Sequence, residues 1–101
     1  EEARWRYAYG ASLVLSGRID DADRELRQSL ALEGPGWLRG RIQNEQGKVE
    51  DVRGNRAAAL QHYREALRVG RAEHDPGSSD EASRLLKTAY RRPAEVTNVR
   101  Q

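Results

Sequence analysis

GASLVLSGRIDDADRELRQSL, residues 10–30, is answered further along the chain by GKVEDVRGNRAAALQHYREAL, residues 47–67. Gly10, Gly17, Ala22, Arg27 and Leu30 return as Gly47, Gly54, Ala59, Arg64 and Leu67, a constant offset of 37 residues. Softer matches keep the same offset: Leu15 with Val52, Leu26 with Tyr63, Ser29 with Ala66 and Leu32 with Val69. A fixed period of about 20 to 50 residues marks stacked supersecondary units, none of which buries its apolar face alone. Stacks of this kind present surfaces to partners rather than deep reaction centres.

Around this echo the apolar spacing predicts helices and no strands. The first helix covers about residues 3–16, with Trp5, Ala8, Tyr9, Ser12 and Leu13 on one face and Tyr7, Ala11, Val14 and Leu15 on another. Two apolar faces call for cover from both sides. Gly17 and Arg18 supply a C-terminal cap and turn. A second helix opens at Asp20 or Asp21, where carboxylates suit the positive end of the helix dipole, and buries Ala22, Leu26, Ser29 and Leu30. Gly34-Pro35-Gly36 stops it. The third helix, about residues 37–53, carries Leu38, Ile42, Val49 and Val52 on a stripe that Glu45 interrupts. Asn55 opens the fourth, whose face holds Ala59, Leu60, Tyr63, Ala66 and Leu67. Beyond a looser stretch, Ser78 and Glu81 have capping-box spacing and predict a fifth helix over about 79–91, with Ala82, Leu85, Leu86, Ala89 and Tyr90 on its apolar face. Pro93 ends it, and residues 93–101 read as a frayed tail. The expectation is one all-α domain over residues 1–92, built of antiparallel helical hairpins with about five helices.

Composition narrows the function. A chain of 101 residues buries roughly two thirds of its unfolded surface, enough for a thin core without a deep cleft. Eighteen Lys and Arg against sixteen Asp and Glu leave a net charge of +2, and the two signs are interleaved, as in residues 20–25. That pattern belongs to solvated helix faces and makes nucleic acid an unfavoured partner. With no cysteine, disulfides, thiolate metal sites and thiol catalysis are excluded. No apolar run has membrane-spanning length, so no membrane insertion is expected of this segment. There is no signal-peptide pattern and no methionine, so the chain reads as a piece of a longer protein whose targeting signal would lie in the missing part; a soluble domain is expected, with the cytoplasm the favoured compartment.

The repeated residues resemble the tetratricopeptide repeat family, whose unit pairs two antiparallel helices, A and B. Gly10, Leu13, Gly17, Ala22, Leu26, Ser29 and Pro35 match one copy, about residues 3–36. Gly47, Gly54, Ala59, Tyr63 and Ala66 match a second, about residues 37–72. Gly34-Pro35-Gly36 accounts for the excess over the common unit of about 34 residues. Gln46 and Glu50 depart from the family's apolar pattern, which predicts that the third helix packs less well than the first. The fifth helix fits a degenerate third A helix or a cap.

The resemblance implies a noncatalytic protein-interaction or scaffold module in which the A helices line a groove for an extended peptide or a partner helix. Carried over position by position, that groove comprises Arg4, Tyr7, Ala11 and Val14 from the first copy and Arg41, Asn44, Lys48 and Asp51 from the second. A competing reading has Tyr7, Ala11 and Val14 packing against an upstream repeat. The family's carboxylate clamp for chaperone C-termini wants Lys and Asn near Tyr7 and Ala11, and neither is present. His62 and His74 have no metal-site spacing, so no metal, cofactor or catalytic residue is assigned. Arg84, Lys87, Arg91, Arg92 and Arg100 form a basic cluster, of which Arg84, Lys87 and Arg91 share one face of a continuous helix. Two further readings therefore stand beside groove binding: self-association through open end faces, and anion or nucleic-acid binding through the fifth helix.

Overall fold

Three corners of the chain close in the same way. At Gly17 (φ 83°) the Gly17 amide donates to Val14 O at 3.1 Å and the Arg18 amide to Leu13 O at 2.9 Å. At Gly54 (φ 85°) the Gly54 amide donates to Asp51 O at 3.0 Å and the Asn55 amide to Glu50 O at 2.8 Å. At His74 (φ 55°) the bonds run to Arg71 O and, from the Asp75 amide, to Gly70 O at 2.8 Å. Each left-handed residue ties off the carbonyls of the preceding helix and reverses the chain.

The computed structural model describes residues 1–93. Five helices result: α1 (Glu2–Ser16), α2 (Ile19–Ala31), α3 (Gly36–Val52), α4 (Arg56–Ala72) and α5 (Pro76–Lys87), with no strand among the described residues. Each helix packs on its successor, and the odd-numbered helices also meet, α1 against α3 and α3 against α5, while the α2 and α4 backbones do not approach closely. The arrangement is elongated, 43 × 28 × 20 Å.

Inside the first two hairpins the contacts are equivalent. A methyl on Gly10 would lie 2.8 Å from Leu26 Cδ2, and one on Gly47 would strike the Tyr63 ring. Each glycine makes room for the large residue that its partner helix inserts. Ala22 and Ala59 are fully buried beside them. Ser29 is buried too, its hydroxyl donating to Ala3 O at 2.6 Å.

α3 is the central helix and packs better than its sequence predicts. It carries eight buried residues, more than any other helix, and three of them are the polar Asn44, Glu45 and Gln46. The polar side chains are held rather than excluded: Asn44 Nδ2 donates to Ser78 O at 3.0 Å, and Glu45 pairs with Lys48 at 2.8 Å. On α1 the structure covers neither of the two expected apolar faces as a unit, taking one residue from each into the core. Leu13 and Val14 are buried, whereas Trp5 (60% exposed), Tyr9 and Leu15 (58%) stand open.

The bounds of α5 differ from the sequence expectation at both ends. The helix starts at Pro76, with Asp75 at the N-cap, and Ser78 is a buried residue of its first turn whose hydroxyl donates to Asp75 Oδ2 at 2.7 Å. It ends at Lys87, and Thr88 is extended (φ −137°, ψ 126°), so Ala89 and Tyr90 lie past the helix. Of the expected tail, residues 94–101 lie outside the described residues. Among the described residues no helix is long and apolar enough to cross a membrane.

Candidate functional site

The side-by-side odd helices create one continuous face. α1 contributes Arg4 and Tyr7, α3 contributes Trp37, Arg41, Glu45 and Lys48, and α5 contributes Glu81. Lys48 is its pivot: Nζ lies 2.8 Å from Glu45 Oε2 and 2.8 Å from Glu81 Oε2. Burial opposes the ammonium charge, but the two carboxylates outweigh burial and push Lys48 up to about 12. Glu45 shifts the other way for a carboxylate in an ion pair. Burial raises it, and one ammonium shared with Glu81 does not offset that desolvation. Tyr7, half-buried beside this network, is raised chiefly by burial.

Toward the N-terminal ends of α1 and α3 the face hollows into an open depression of about 510 Å³, lined by Arg4, Trp5, Tyr7, Trp37 and Arg41 among others. Arg41 grips Asp75 with both guanidinium arms, at 2.9 and 2.8 Å, and lies 5.1 Å from the Trp37 ring centroid. Arg4 approaches the same ring at 5.9 Å and pairs with Glu1 at 2.8 Å. Hydrogen bonds from Arg41 hold the Asp75 carboxyl down to about 2 against its burial, and the Ser78 hydroxyl adds to the effect. A tryptophan ring flanked by two guanidinium groups suits an anchor side chain with polar neighbours.

Toward the other end of the face, Asp51 is a junction. Its side chain is 1% exposed, and Oδ2 accepts from the Tyr63 hydroxyl at 2.7 Å and the Tyr90 amide at 2.9 Å. Arg56 reaches both Asp51 oxygens at 3.1 and 3.0 Å, and its other arm donates to Leu85 O at 2.8 Å and Leu86 O at 3.2 Å, tying off the end of α5. The Tyr63 hydroxyl is pushed upward by burial and by Asp51. The Tyr90 ring lies 5.3 Å from Lys48 Nζ and packs against both hydrophobic clusters of the core.

Of the eight residues assigned to the groove, Arg4, Tyr7, Arg41 and Lys48 come together on this face, with Ala11 half-buried on the same helix as Tyr7. Val14 and Asn44 are buried in the core, and the Asp51 carboxylate is enclosed, so none of these three is open to a partner. Val14 joins the core cluster that includes Leu38 and Ile42 of α3, so its cover comes from this chain. Sequence reasoning missed Trp37, Glu81 and Tyr90 as parts of the face. The Glu45–Lys48 spacing was a local signal; Glu81 joins only through the packing of α5.

The remaining candidates do not converge. His62 is half-buried, with Nδ1 2.7 Å from Gln43 Oε1, and burial lowers its pKa; His74 is exposed at a turn. No group of three or more His, Asp or Glu among the described residues is placed to hold a metal ion. The basic stripe is broken because α5 stops before Arg91: Arg84 and Lys87 are exposed on the helix, Arg92 is half-buried elsewhere, and Arg100 lies outside the described residues. Compared with protein-family models, with curated proteins and with solved structures, the chain matches none.

Proposed function

We propose that this chain is a noncatalytic interaction module of the tetratricopeptide type, with α1–α2 and α3–α4 as its two repeats and α5 as a further A-type helix. Its α1–α3–α5 face receives an extended peptide. The observation that carries this reading is the open depression between α1 and α3, where Arg4, Tyr7, Trp37 and Arg41 converge from positions 30 to 37 residues apart in sequence. The matching glycine contacts at Leu26 and Tyr63, and the matching turns at Gly17 and Gly54, support the repeat assignment.

The partner this face suits is an extended peptide offering one aromatic or aliphatic anchor beside a polar or acidic group. The test is fluorescence polarisation with peptides selected against the full chain by phage display. An Arg4→Ala/Tyr7→Ala variant, shown folded by circular dichroism, loses at least tenfold in affinity; unchanged affinity contradicts the reading. Self-association is a second reading, favoured by the open stripe of Trp5, Tyr9 and Leu15. A single monomeric species in sedimentation at high concentration removes it.

A further inference from the structure

We propose that residues 88–92 lie across the α1–α3–α5 face as an intramolecular ligand, and that the face takes from other chains an extended peptide with an aromatic residue followed two positions later by arginine. This rests on the groove reading above and adds to it a resident occupant and a ligand pattern.

Nothing local forces the chain out of helix where it leaves. Thr88, Ala89 and Tyr90 include no glycine or proline, and Pro93 constrains Arg92 and the Ala89 carbonyl without reaching Thr88. The chain nevertheless turns extended at Thr88, and the contacts it gains are tertiary. The Tyr90 amide donates to Asp51 on α3 at 2.9 Å, and the Tyr90 ring sits beside Lys48. The Arg92 guanidinium then lies directly against Gly17, where any side chain at that turn would collide with it. The segment thus runs from α5 over α3 to the C-terminal corner of α1. That corner is the negative end of a helix dipole, which suits a guanidinium.

The segment presents itself as a bound peptide does. Burial alternates with the two-residue period of extended backbone: Tyr90 and Arg92 face the protein, and Ala89 and Arg91 are exposed. Main-chain bonding plus pockets for alternate side chains is how extended peptides are selected. The fit is incomplete, since Tyr90 Oη and Arg92 Nε are buried with no hydrogen-bond partner among the described residues. Unpaired buried polar atoms weaken the resident segment. A tethered occupant nonetheless acts at high effective concentration, so a free peptide must displace it.

The test titrates a fluorescent Thr-Ala-Tyr-Arg-Arg-Pro peptide, the sequence of residues 88–93, into the full chain and into its Tyr90→Ser/Arg92→Ser variant. We expect the variant to bind at least tenfold more tightly than the parent chain, and a peptide with serine in place of its tyrosine to bind neither. If the double variant is unfolded by circular dichroism, Arg92→Ala alone, which frees only the Gly17 corner, takes its place. In the parent chain, saturating peptide should speed hydrogen exchange at the Tyr90 amide. Equal affinity for parent and variant overturns the occlusion, and absence of binding to a folded variant overturns the ligand pattern. The groove reading survives either result if phage-selected peptides still bind in a Tyr7-dependent way, so the two failures are distinguishable.

Discussion

Asp51 and Tyr90, 39 residues apart, are joined by a hydrogen bond from the Tyr90 amide to Asp51 Oδ2 at 2.9 Å. The same oxygen accepts the Tyr63 hydroxyl at 2.7 Å, and Arg56 binds the carboxylate while tying off the end of α5. One carboxylate therefore fastens α3, α4, α5 and the segment that follows it.

Removing that carboxylate strands several buried donors at once. Asp51→Ala should destabilise the fold by about 3 to 5 kcal/mol, because Arg56 loses its counter-charge while remaining half-buried. Tyr63→Phe removes one donor and leaves the pair intact, so its cost should be about 1 to 2 kcal/mol. Urea unfolding followed by circular dichroism measures both. Equal costs would show that Asp51 does not act as a junction.

The two repeated glycines offer a sharper comparison. Gly10→Ala places its methyl 2.8 Å from Cδ2 and 2.9 Å from Cγ of the fully buried Leu26, an overlap that roughly 1 kcal/mol of helix propensity offsets only in part. Its net effect should be a loss of about 1 kcal/mol. Gly47→Ala drives its methyl into the Tyr63 ring, which the Asp51 bond holds in place. Overpacking of a fixed ring should cost about 2 to 3 kcal/mol. Thermal midpoints of the two variants decide it: similar values would mean that Tyr63 is free to move.

Acid should remove the tie that Arg41 and Asp75 make between α3 and the start of α5. The Asp75 carboxyl is held down to about 2, from an ordinary value of 3.8, chiefly by Arg41. Its contribution is present in full above the ordinary value and is lost as pH falls through the folded one. Arg41 is 40% exposed, so solvent screening limits the contribution to about 1 kcal/mol. Stability of the parent chain should fall between about pH 4 and pH 2 more steeply than that of Asp75→Asn. Parallel slopes would contradict the pairing.

On α1 the buried and the exposed apolar residues should respond differently. Val14→Ala empties a fully buried site and should cost about 2 kcal/mol. Trp5→Ser changes a side chain that is mostly in water, and its effect on unfolding should stay within about 0.5 kcal/mol. A large loss at Trp5, varying with protein concentration, would reveal a second copy seated on that stripe.

How much of this was legible in the sequence follows the range of the interactions. The turns at Gly17 and Gly54 and the pairings of Gly10 with Leu26 and Gly47 with Tyr63 repeat at 37 residues, so their positions could be read directly. The end of α5 could not, because Thr88 turns extended through contacts that Tyr90 makes with Asp51, far off in sequence. The packing of α3 was misjudged for a related reason. A polar run reads as exposed, whereas Lys48 finds Glu81 on a different helix and Asn44 finds the Ser78 carbonyl. On the face itself, Arg4, Tyr7, Arg41 and Lys48 came from positions carried over by resemblance; the enclosure of Val14, Asn44 and Asp51 needed the neighbours that cover them.

The partner site proposed for this chain is the α1–α3–α5 face. Backbone hydrogen exchange of the full chain, free and saturated with a phage-selected peptide, tests it most directly. The account predicts slowed exchange at Tyr7 on α1 and at Trp37 and Arg41 on α3, with the outer faces of α2 and α4 unchanged. Protection confined to α2 and α4 would contradict it.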